Sequence, residues 1–387
     1  VNEDKATRYH RLRRRASIFS LITSFSMLLF LIGSGSNEII RDIAQDFTTA
    51  VVVPSFIRSI AVACLSAIAL IVLHEALMLG PHLYTVNLDR RYGLTTVSLG
   101  ASVIDHLKAM IFTLLIASPV VASVYITMRF WPSLWWLFAG ILCSLVMGGV
   151  MRIAPAVLLP RHTRFVPVDR HVLCQRLKDL SKRAGTTTLG VYELRVGGRN
   201  RRANATVAGF GDTCSIFLSD TLIQNYSDDE IEVVLAHELA HHLHGHIWFS
   251  LVCDSLVLLA GCFNASVVLP IFVNNFGLQS IDDVSGLPLL VLVVGLTVLS
   301  GQPIINLISR YQERLADRKA LEMTRKPTAF ISALRRLCAQ NLAEYRPSRL
   351  NEVLFHAHPS VAHRIAEAQR WVKLEGQMCG IKRPLVD

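Results

Sequence analysis

The sequence predicts a mainly α-helical, polytopic membrane protein with a small α+β domain, and three observations lead to this fold class. The chain of 387 residues is 52% hydrophobic and only 18% charged, whereas soluble domains carry roughly 25% charged residues. Its apolar residues lie in long blocks, which indicates membrane-spanning helices and not a larger soluble core. Short β-like runs between the fourth and fifth blocks indicate a small sheet outside the membrane.

Six of these blocks approach or exceed the roughly 20 residues that a helix needs to cross a bilayer. The first block is the shortest and resembles the apolar part of a signal peptide. No convincing small-residue cleavage site follows it, so we count it as a span. The six predicted spans are Ser17–Ile32, Ile60–Leu79, Ala109–Met128, Trp135–Leu158, Ile247–Val273 and Leu287–Ile308.

The spans divide the chain into four parts. Residues 1–160 are expected to form an N-terminal membrane domain with four spans, and residues 161–246 a soluble insert. Residues 247–308 hold two further spans, and residues 309–387 form a helical C-terminal part. The chain therefore leaves the membrane for its largest polar segment between the fourth and fifth spans.

The soluble insert is expected to contain one amphipathic helix and a small sheet. His171–Lys182 has the apolar periodicity of a helix. Glycine-containing turns at Gly197-Gly198 and Gly211-Asp212 separate the β-like runs. The predicted strands are Gly190–Val196, Ala205–Phe210 and Ser215–Leu218.

The basic residues predict which side of the membrane each part occupies. The formal net charge is +10, and six of the first fifteen residues are Lys or Arg. Further Arg pairs follow the second and fourth spans, whereas the loops after the first and fifth spans are acidic. Lys and Arg accumulate in cytoplasmic loops, so the N-terminus, the insert and the C-terminal part are expected in the cytoplasm. Nucleic-acid binding is the rival explanation of this charge, and the position of the basic residues beside membrane spans argues against it.

The eight cysteines point to neither a disulfide framework nor a cysteine zinc site. No C-x-x-C pair occurs, and half of the cysteines lie inside predicted spans. The others lie in parts expected to face the cytoplasm, where disulfides are rare.

The most informative motif is His237-Glu238-Leu239-Ala240-His241, an H-E-x-x-H pentapeptide. Positions i and i+4 share one face of a helix, so both imidazoles can bind one Zn²⁺, and Glu238 can take a proton from the attacking water. Ser227 and Glu230 form a capping box ahead of it, which supports the required helix. The alternative is a His-rich, exposed helix end. A second near-match, His74-Glu75, has no second His and is interpreted as structural.

A catalytic zinc needs a third protein ligand, and Glu313 is the candidate. It follows the sixth span, on the side expected for the zinc helix. Asp317 lies one turn later and can accept the spare N–H of a zinc-bound His. The alternative is a water-facing helix with Glu–Arg pairs, and spacing alone does not choose between the two.

A third cluster, His358-Pro359 with His363-Arg364, lies in the C-terminal part. A His or Arg beside a scissile carbonyl can stabilise the oxyanion that forms when the carbonyl is attacked. A surface turn capped by Pro explains the same residues, and sequence alone favours the turn.

Taken together, these motifs resemble a family of membrane-embedded zinc endopeptidases, which includes the type I CAAX prenyl protease and the bacterial heat-shock membrane protease. The residues around His237 and His241, including Gly245-His246, are similar to its zinc helix. Glu313 with Ala316-Asp317 is similar to its third-ligand motif. The other similar segments are Asn204-Ala205, Gly209-Phe210-Gly211, Ser219-Asp220-Thr221-Leu222 and His358-Pro359 with Arg364.

The N-terminal half resembles the CAAX-protease branch more closely. Arg90-Arg91-Tyr92-Gly93-Leu94, followed by Asp105 and Lys108, is similar to the signature in that protease's membrane region. The heat-shock protease has two spans before its zinc helix, and four are predicted here. Two departures stand out: eukaryotic members have seven spans against six predicted here, and Leu94 replaces the usual Phe.

The resemblance implies a fold and a set of roles. About six transmembrane helices would enclose a large chamber, with a small α+β zinc-peptidase domain on the cytoplasmic side. One Zn²⁺ per chain would be bound by His237, His241 and Glu313, and Glu238 would be the general base. The remaining implied roles are oxyanion stabilisation by His358, support of the site by Arg364, and pairing of Asn204 and Ala205 with the substrate backbone as an edge strand.

The substrate would be a peptide or protein, lipidated or not, cleaved at a bilayer whose lipids surround the chain. The membrane would be the bacterial inner or cell membrane, or the endoplasmic reticulum in a eukaryote. Two alternatives stay open: a quality-control protease for membrane proteins, and a non-catalytic transporter or sensor with a zinc site. The intact Glu238 argues against the second, because a structural zinc does not need a general base.

Overall fold

The structure is a computed structural model, and it describes residues 4–50, 54–158, 164–186, 188–195, 201–208, 214–275 and 278–381. The turns predicted at Gly197-Gly198 and Gly211-Asp212 lie outside these residues. The helices are α1 Lys5–Ser34, α2 Ser36–Thr49, α3 Ser55–Arg91, α4 Leu99–Phe130, α5 Trp135–Leu158, α6 His171–Arg183, α7 Asp220–Asn225, α8 Asp228–Leu243, α9 His246–Asn275, α10 Leu287–Thr324, α11 Pro327–Gln340, α12 Arg349–Phe355 and α13 Val361–Ile381.

Six helices in the described part of the chain are long and apolar enough to cross a membrane, which confirms the predicted number. They are α1, α3, α4, α5, α9 and α10. A helix satisfies its backbone hydrogen bonds internally, which a lipid environment requires. Most of the helices extend beyond the apolar blocks that predicted them, because polar residues continue the helix at the membrane surface. In particular, α10 runs without a break from the predicted span into the polar part of the chain that follows it.

The acidic segment after the first span is a helix, which the sequence analysis did not predict. Ile39, Ile43 and Phe47 lie four residues apart in α2, and all three are exposed. This spacing places them on one helical face. An exposed apolar stripe on a short helix next to a span is typical of a helix that lies in the membrane interface.

Close packing between α5 and α9 joins the N-terminal spans to the later ones. A Cβ at Gly140 would lie 2.4 Å from Leu259 Cδ1 and 3.2 Å from Leu259 Cα. Glycine therefore allows the backbones to approach at this crossing, as small residues do in membrane helix pairs.

The soluble region contains a mixed four-stranded sheet in the order β1-β2-β4-β3. Its strands are β1 Arg164–Pro167, β2 Thr188–Arg195, β3 Ala205–Ala208 and β4 Cys214–Ser219. β2 pairs parallel with β4, and the other two pairs are antiparallel. Three strands match the predicted runs, with the ends of the first and second runs outside the described residues. β1 was not predicted, because a four-residue segment carries too little periodicity to stand out.

A single apolar core fixes α8 between the sheet and the end of α10. Leu177 of α6, Ile216 of β4 and Leu235 of α8 are fully buried in this core. The predicted capping box is present: the Ser227 side chain accepts from the Glu230 N–H, and the Glu230 carboxylate accepts from the Ser227 N–H. α8 therefore begins at a defined residue and presents a fixed face to α10.

Candidate active site

Two histidines of α8 face each other across one helical turn. His237 Nε2 and His241 Nε2 lie 3.2 Å apart. The neighbouring Ala236, Leu239 and Ala240 are buried in the core on the other helical faces. The packing of α8 thus turns the two imidazoles toward α10, and a His-rich exposed helix end is not what the chain forms.

Glu313 of α10 completes the cluster. Its Oε1 lies 3.3 Å from His241 Nε2, and its Oε2 lies 3.4 Å from His237 Nε2. The Glu313 side chain is only 5% exposed, so the alternative of a water-facing Glu–Arg pair is wrong for this residue. Exposed pairs of that kind do occur further along α10, between Arg318 and Glu322.

The spacing of these atoms fits a tetrahedral zinc ion. Two ligands at about 2.0–2.1 Å from tetrahedral zinc are roughly 3.3 Å apart, which matches the separations of 3.2, 3.3 and 3.4 Å. Glu313 Oε2 is buried and accepts no hydrogen bond from the described residues. A buried anionic oxygen without a donor is unfavourable, and a cation between the three side chains would satisfy it.

Each histidine also has a partner on its other nitrogen. His237 Nδ1 lies 2.9 Å from Asp317 Oδ1, and His241 Nδ1 lies 2.9 Å from His246 Nδ1. When both Nδ1 atoms donate, both Nε2 atoms carry lone pairs that point into the cluster, as a metal requires. Sequence reasoning assigned no role to His246. It reaches His241 because Gly245, with a φ of +62°, reverses the chain after α8.

Arg364 of α13 holds Asp317 in place. Its guanidinium donates to both Asp317 oxygens, at 2.8 and 2.6 Å. Burial lowers the pKa of Arg364, but Asp317 and Glu313 outweigh this effect and raise it. Arg364 Nη2 also lies 3.5 Å from His237 Nδ1. Arg364 therefore reaches the cluster mainly through Asp317.

The carboxylates of Asp317 and Glu313 favour the protonated form of His237. Burial lowers the pKa of His237, but hydrogen bonds to Asp317 and Glu313 raise it to about 9. The cluster therefore attracts positive charge strongly, and a metal ion competes there with a proton.

Glu238 and His358 lie at the border between the cluster and a cleft. Burial raises the pKa of the Glu238 carboxyl, an effect that His237 and His241 oppose. His358 Nδ1 lies 2.9 Å from Glu313 Oε1, and the His358 side chain is 68% exposed. Both residues line the cleft, so both are within reach of a bound ligand.

The cleft has a volume of about 360 Å³. Asn204 and Ala205 line it at the edge of the sheet. Its lining is partly apolar and partly polar. The apolar lining residues include Val233, Val234, Phe330, Leu334 and Leu337, and the polar ones include His10, Asn341, Glu344 and His356. Sequence reasoning did not identify these four polar residues, because they come from distant parts of the chain and carry no shared motif.

Two family models match the chain. The model of peptidase family M48 matches residues 168–372, which is more than half of the chain and contains every predicted site residue. The model of the CAAX prenyl protease N-terminal region, described as five membrane helices, matches residues 2–162. That range holds α1 to α5, four of which are long enough to span a membrane.

Curated relatives support the same assignment. The metalloprotease YhfN of Bacillus subtilis is 27% identical over 291 residues, which is 74% of this chain and 68% of the relative. A CAAX prenyl protease 1 homolog of Oryza sativa is 26% identical over 73% of this chain and 67% of its own length. Protease HtpX of Legionella pneumophila is 27% identical over 59% of this chain and 88% of its own length.

A solved structure has the same fold. The crystal structure of Ste24p from S. mikatae superposes with a TM-score of 0.77 at 22% identity, covering 94% of this chain and 87% of that one. The predicted fold, with membrane helices around a chamber and a small α+β region, is thereby confirmed. The resemblance drawn from the motifs is confirmed as well. The chain belongs to peptidase family M48 and is a membrane-embedded metalloendopeptidase.

Proposed function

We propose that the protein binds one zinc ion through His237, His241 and Glu313 and hydrolyses peptide bonds in the adjacent cleft. The observation that carries this proposal is the set of separations between the two Nε2 atoms and the Glu313 oxygens, 3.2 to 3.4 Å. All three side chains belong to rigid helices, so the ligand positions exist before the metal binds. A transporter or sensor with a structural zinc would not need the carboxylate of Glu238 beside the cluster.

A zinc ion held by His237, His241 and Glu313 would supply a Lewis acid that polarises the scissile carbonyl and lowers the pKa of the attacking water. Glu238 acts as the general base. It takes a proton from the water as the water oxygen bonds to the carbonyl carbon. It then gives a proton to the amine nitrogen as the C–N bond breaks. Partial burial supports this role, because a carboxyl with a raised pKa is a better proton acceptor.

His358 stabilises the oxyanion that develops on the carbonyl oxygen. Its Nδ1 is close to Glu313, and among the described residues its Nε2 has no partner, which leaves that nitrogen for the substrate. Asp317 and Arg364 are positioning residues. Asp317 fixes the ring of His237, and Arg364, which also lines the cleft, holds Asp317.

The substrate pairs with the edge strand of the sheet, in the segment that contains Asn204 and Ala205. β3 is the last strand in the order β1-β2-β4-β3, so its outer side has no neighbouring strand among the described residues. Both residues line the same cleft as Glu238. Backbone pairing of this kind binds an extended peptide with little dependence on its side chains.

The catalytic side is the cytoplasmic side. The basic N-terminus of α1 lies next to the cleft: Arg14 is paired with Glu344, and Tyr9 donates to Asp89. Because the Lys- and Arg-rich ends of membrane helices stay in the cytoplasm, the cleft beside them is cytoplasmic. We place the protein in a bacterial cell membrane, with the endoplasmic reticulum membrane as the equivalent in a eukaryotic source.

The substrate is a peptide held near the membrane by a lipid group. Relatives named CAAX prenyl protease support this class, and so does the placement of the cleft at the end of a helix that leaves the bilayer. The test compares a farnesylated peptide with the same peptide without its lipid, using the wild-type protein and a Glu238→Gln variant in liposomes. We expect faster cleavage of the lipidated peptide by wild type only. Equal rates for both peptides would remove the lipid requirement and favour a quality-control protease.

A further inference from the structure

The outer edge of β3 carries backbone groups of alternate residues. In the antiparallel β3–β4 pair, Ala205 is opposite Leu218 and Val207 is opposite Ile216. The Ser219 N–H donates to the Asn204 carbonyl, which makes Asn204 a residue that faces β4. Because N–H and C=O groups alternate sides along a strand, Ala203, Ala205 and Val207 direct their backbone groups toward the outer edge.

The first of these three residues already has a partner. The Ala203 N–H donates to Asn341 Oδ1 at 2.9 Å, and Asn341 Nδ2 donates to the Ala203 carbonyl at 3.1 Å. One carboxamide thus makes both hydrogen bonds that a neighbouring strand would make at this residue. Both backbone groups of Arg201, two residues earlier, also have partners. Its N–H donates to the Leu94 carbonyl, and Gln340 Nε2 donates to its carbonyl.

Asn341 is held firmly in this position. It ends α11, and the following Leu342 has a φ of 51°, a left-handed conformation that is unfavourable for residues with a Cβ. The turn is closed by a hydrogen bond from the Ala343 N–H to the Cys338 carbonyl. On its other side, His10 Nε2 lies 2.7 Å from the Leu342 carbonyl. Three features therefore fix the position of the Asn341 carboxamide: the end of α11, the left-handed conformation of Leu342 and the contact from α1.

We propose that Asn341 is a specificity-determining residue that ends the substrate-pairing edge. Only Ala205 and Val207 then exchange backbone hydrogen bonds with a bound peptide, and Ala203 does not. A peptide that follows the edge beyond Ala205 must therefore leave the strand at Asn341, which lines the same cleft as Glu344 and His356. This inference rests on the proposed peptidase function and adds a limit to how many substrate residues the sheet can bind.

The test is a scan of N-methylated peptides. One backbone nitrogen of a cleavable peptide is methylated at a time, and binding is measured to the Glu238→Gln variant so that catalysis does not interfere. A methyl group removes a hydrogen bond, which should weaken binding roughly three- to tenfold at a paired residue. We expect two sensitive positions, separated by one insensitive position. A third sensitive position in this variant, which retains Asn341, would overturn the proposal.

Variants of Asn341 provide the second part of the test, in which the same peptide scan is repeated. In Asn341→Ala, the backbone N–H and carbonyl of Ala203 lose their partners and can bond to the peptide. A third sensitive position should then appear in the peptide, two residues beyond one of the first two. Asn341→Ser, whose side chain is too short to bond both backbone groups of Ala203, serves if the Ala variant does not fold. Gln340→Ala should retain two sensitive positions, because the Gln340 side chain donates to the Arg201 carbonyl and leaves the Ala203 hydrogen bonds to Asn341. Folded Asn341 variants that still show two positions would contradict the proposal. Wild-type protein that cleaves no peptide would instead contradict the proposed function.

Discussion

Asp317 Oδ1 lies 2.9 Å from His237 Nδ1, and this contact links α10 to the histidine pair of α8. The carboxylate fixes the His237 ring and its tautomer, so that Nε2 is available to a metal. Glu313 lies one turn earlier in the same helix and contacts both Nε2 atoms. In the proposed metal site, α10 would therefore supply both a ligand and the residue that orients another ligand.

Removing this orientation should weaken metal binding without abolishing it. We expect Asp317→Ala to lower zinc affinity roughly 10–100-fold, because residues that hold a ligand in place contribute that much to metal affinity. Competition with a chelator of known affinity measures the change. Glu322→Ala, on the exposed side of α10, is the control and should bind zinc like wild type. Equal affinities for both variants would show that Asp317 does not orient His237.

The role of Glu238 as general base can be tested independently of metal binding. Glu238→Gln should retain zinc and fold while peptide cleavage falls roughly 10²–10⁴-fold, the usual contribution of general acid–base catalysis. Gln has nearly the same shape but cannot accept the proton of the attacking water. Metal content and cleavage rate are measured on the same preparation. Cleavage at the wild-type rate would assign the base to another residue.

Glu230 should make a pH-dependent contribution to stability. Burial raises its pKa, but hydrogen bonds from Ser332 and the Ser227 N–H, together with Arg336, lower it below the usual value. A lowered pKa in the folded state stabilises the protein above the unfolded pKa of about 4.3, and the contribution is lost as pH falls through the folded value. Glu230→Gln should therefore cost about 1–3 kcal/mol at pH 7.

Thermal unfolding of Glu230→Gln and wild type at several pH values measures this effect. The difference in Tm should be largest near neutral pH and should shrink below about pH 4. Glu367→Gln removes a carboxylate from an exposed pair with Arg370 and should leave Tm nearly unchanged. A Tm difference between Glu230→Gln and wild type that grows as the pH falls would contradict the lowered pKa of Glu230.

The six-span topology predicts which segments share a side of the membrane. Gln279, between α9 and α10, and Lys373, in α13, lie at opposite ends of α10. Single cysteines at these two positions, in a background without reactive native cysteines, should react with an impermeant reagent from opposite sides. The cytoplasmic side should be that of Lys373. Labelling of both positions from one side of the membrane would be incompatible with six spans.

Local patterns allowed the largest part of the fold to be predicted from sequence. Long apolar blocks determine spans because the bilayer sets their length, and the capping box at Ser227 determines where α8 begins. Glu238 with its two flanking histidines could be identified because all three lie on one helix. Glu313 could not be separated from an exposed helix by spacing, since its burial depends on packing against α8.

The residues that sequence reasoning missed depend on tertiary contacts. His246 contacts His241 only because a left-handed glycine turns the chain between them. Asn341 contacts Ala203 across 138 residues, and no periodicity links two such positions. α2 was missed for a different reason: its apolar stripe was present in the sequence, but the acidic residues around it suggested a loop.

The zinc content of purified protein is the most direct measure of the proposed metal site. We expect close to one zinc per chain in wild type, because His237, His241 and Glu313 form one closed set of possible ligand atoms. We expect almost none in Glu313→Ala, since two histidines alone do not hold a catalytic zinc tightly. A Glu322→Ala variant should keep the wild-type content. Full zinc retention in Glu313→Ala would contradict the account.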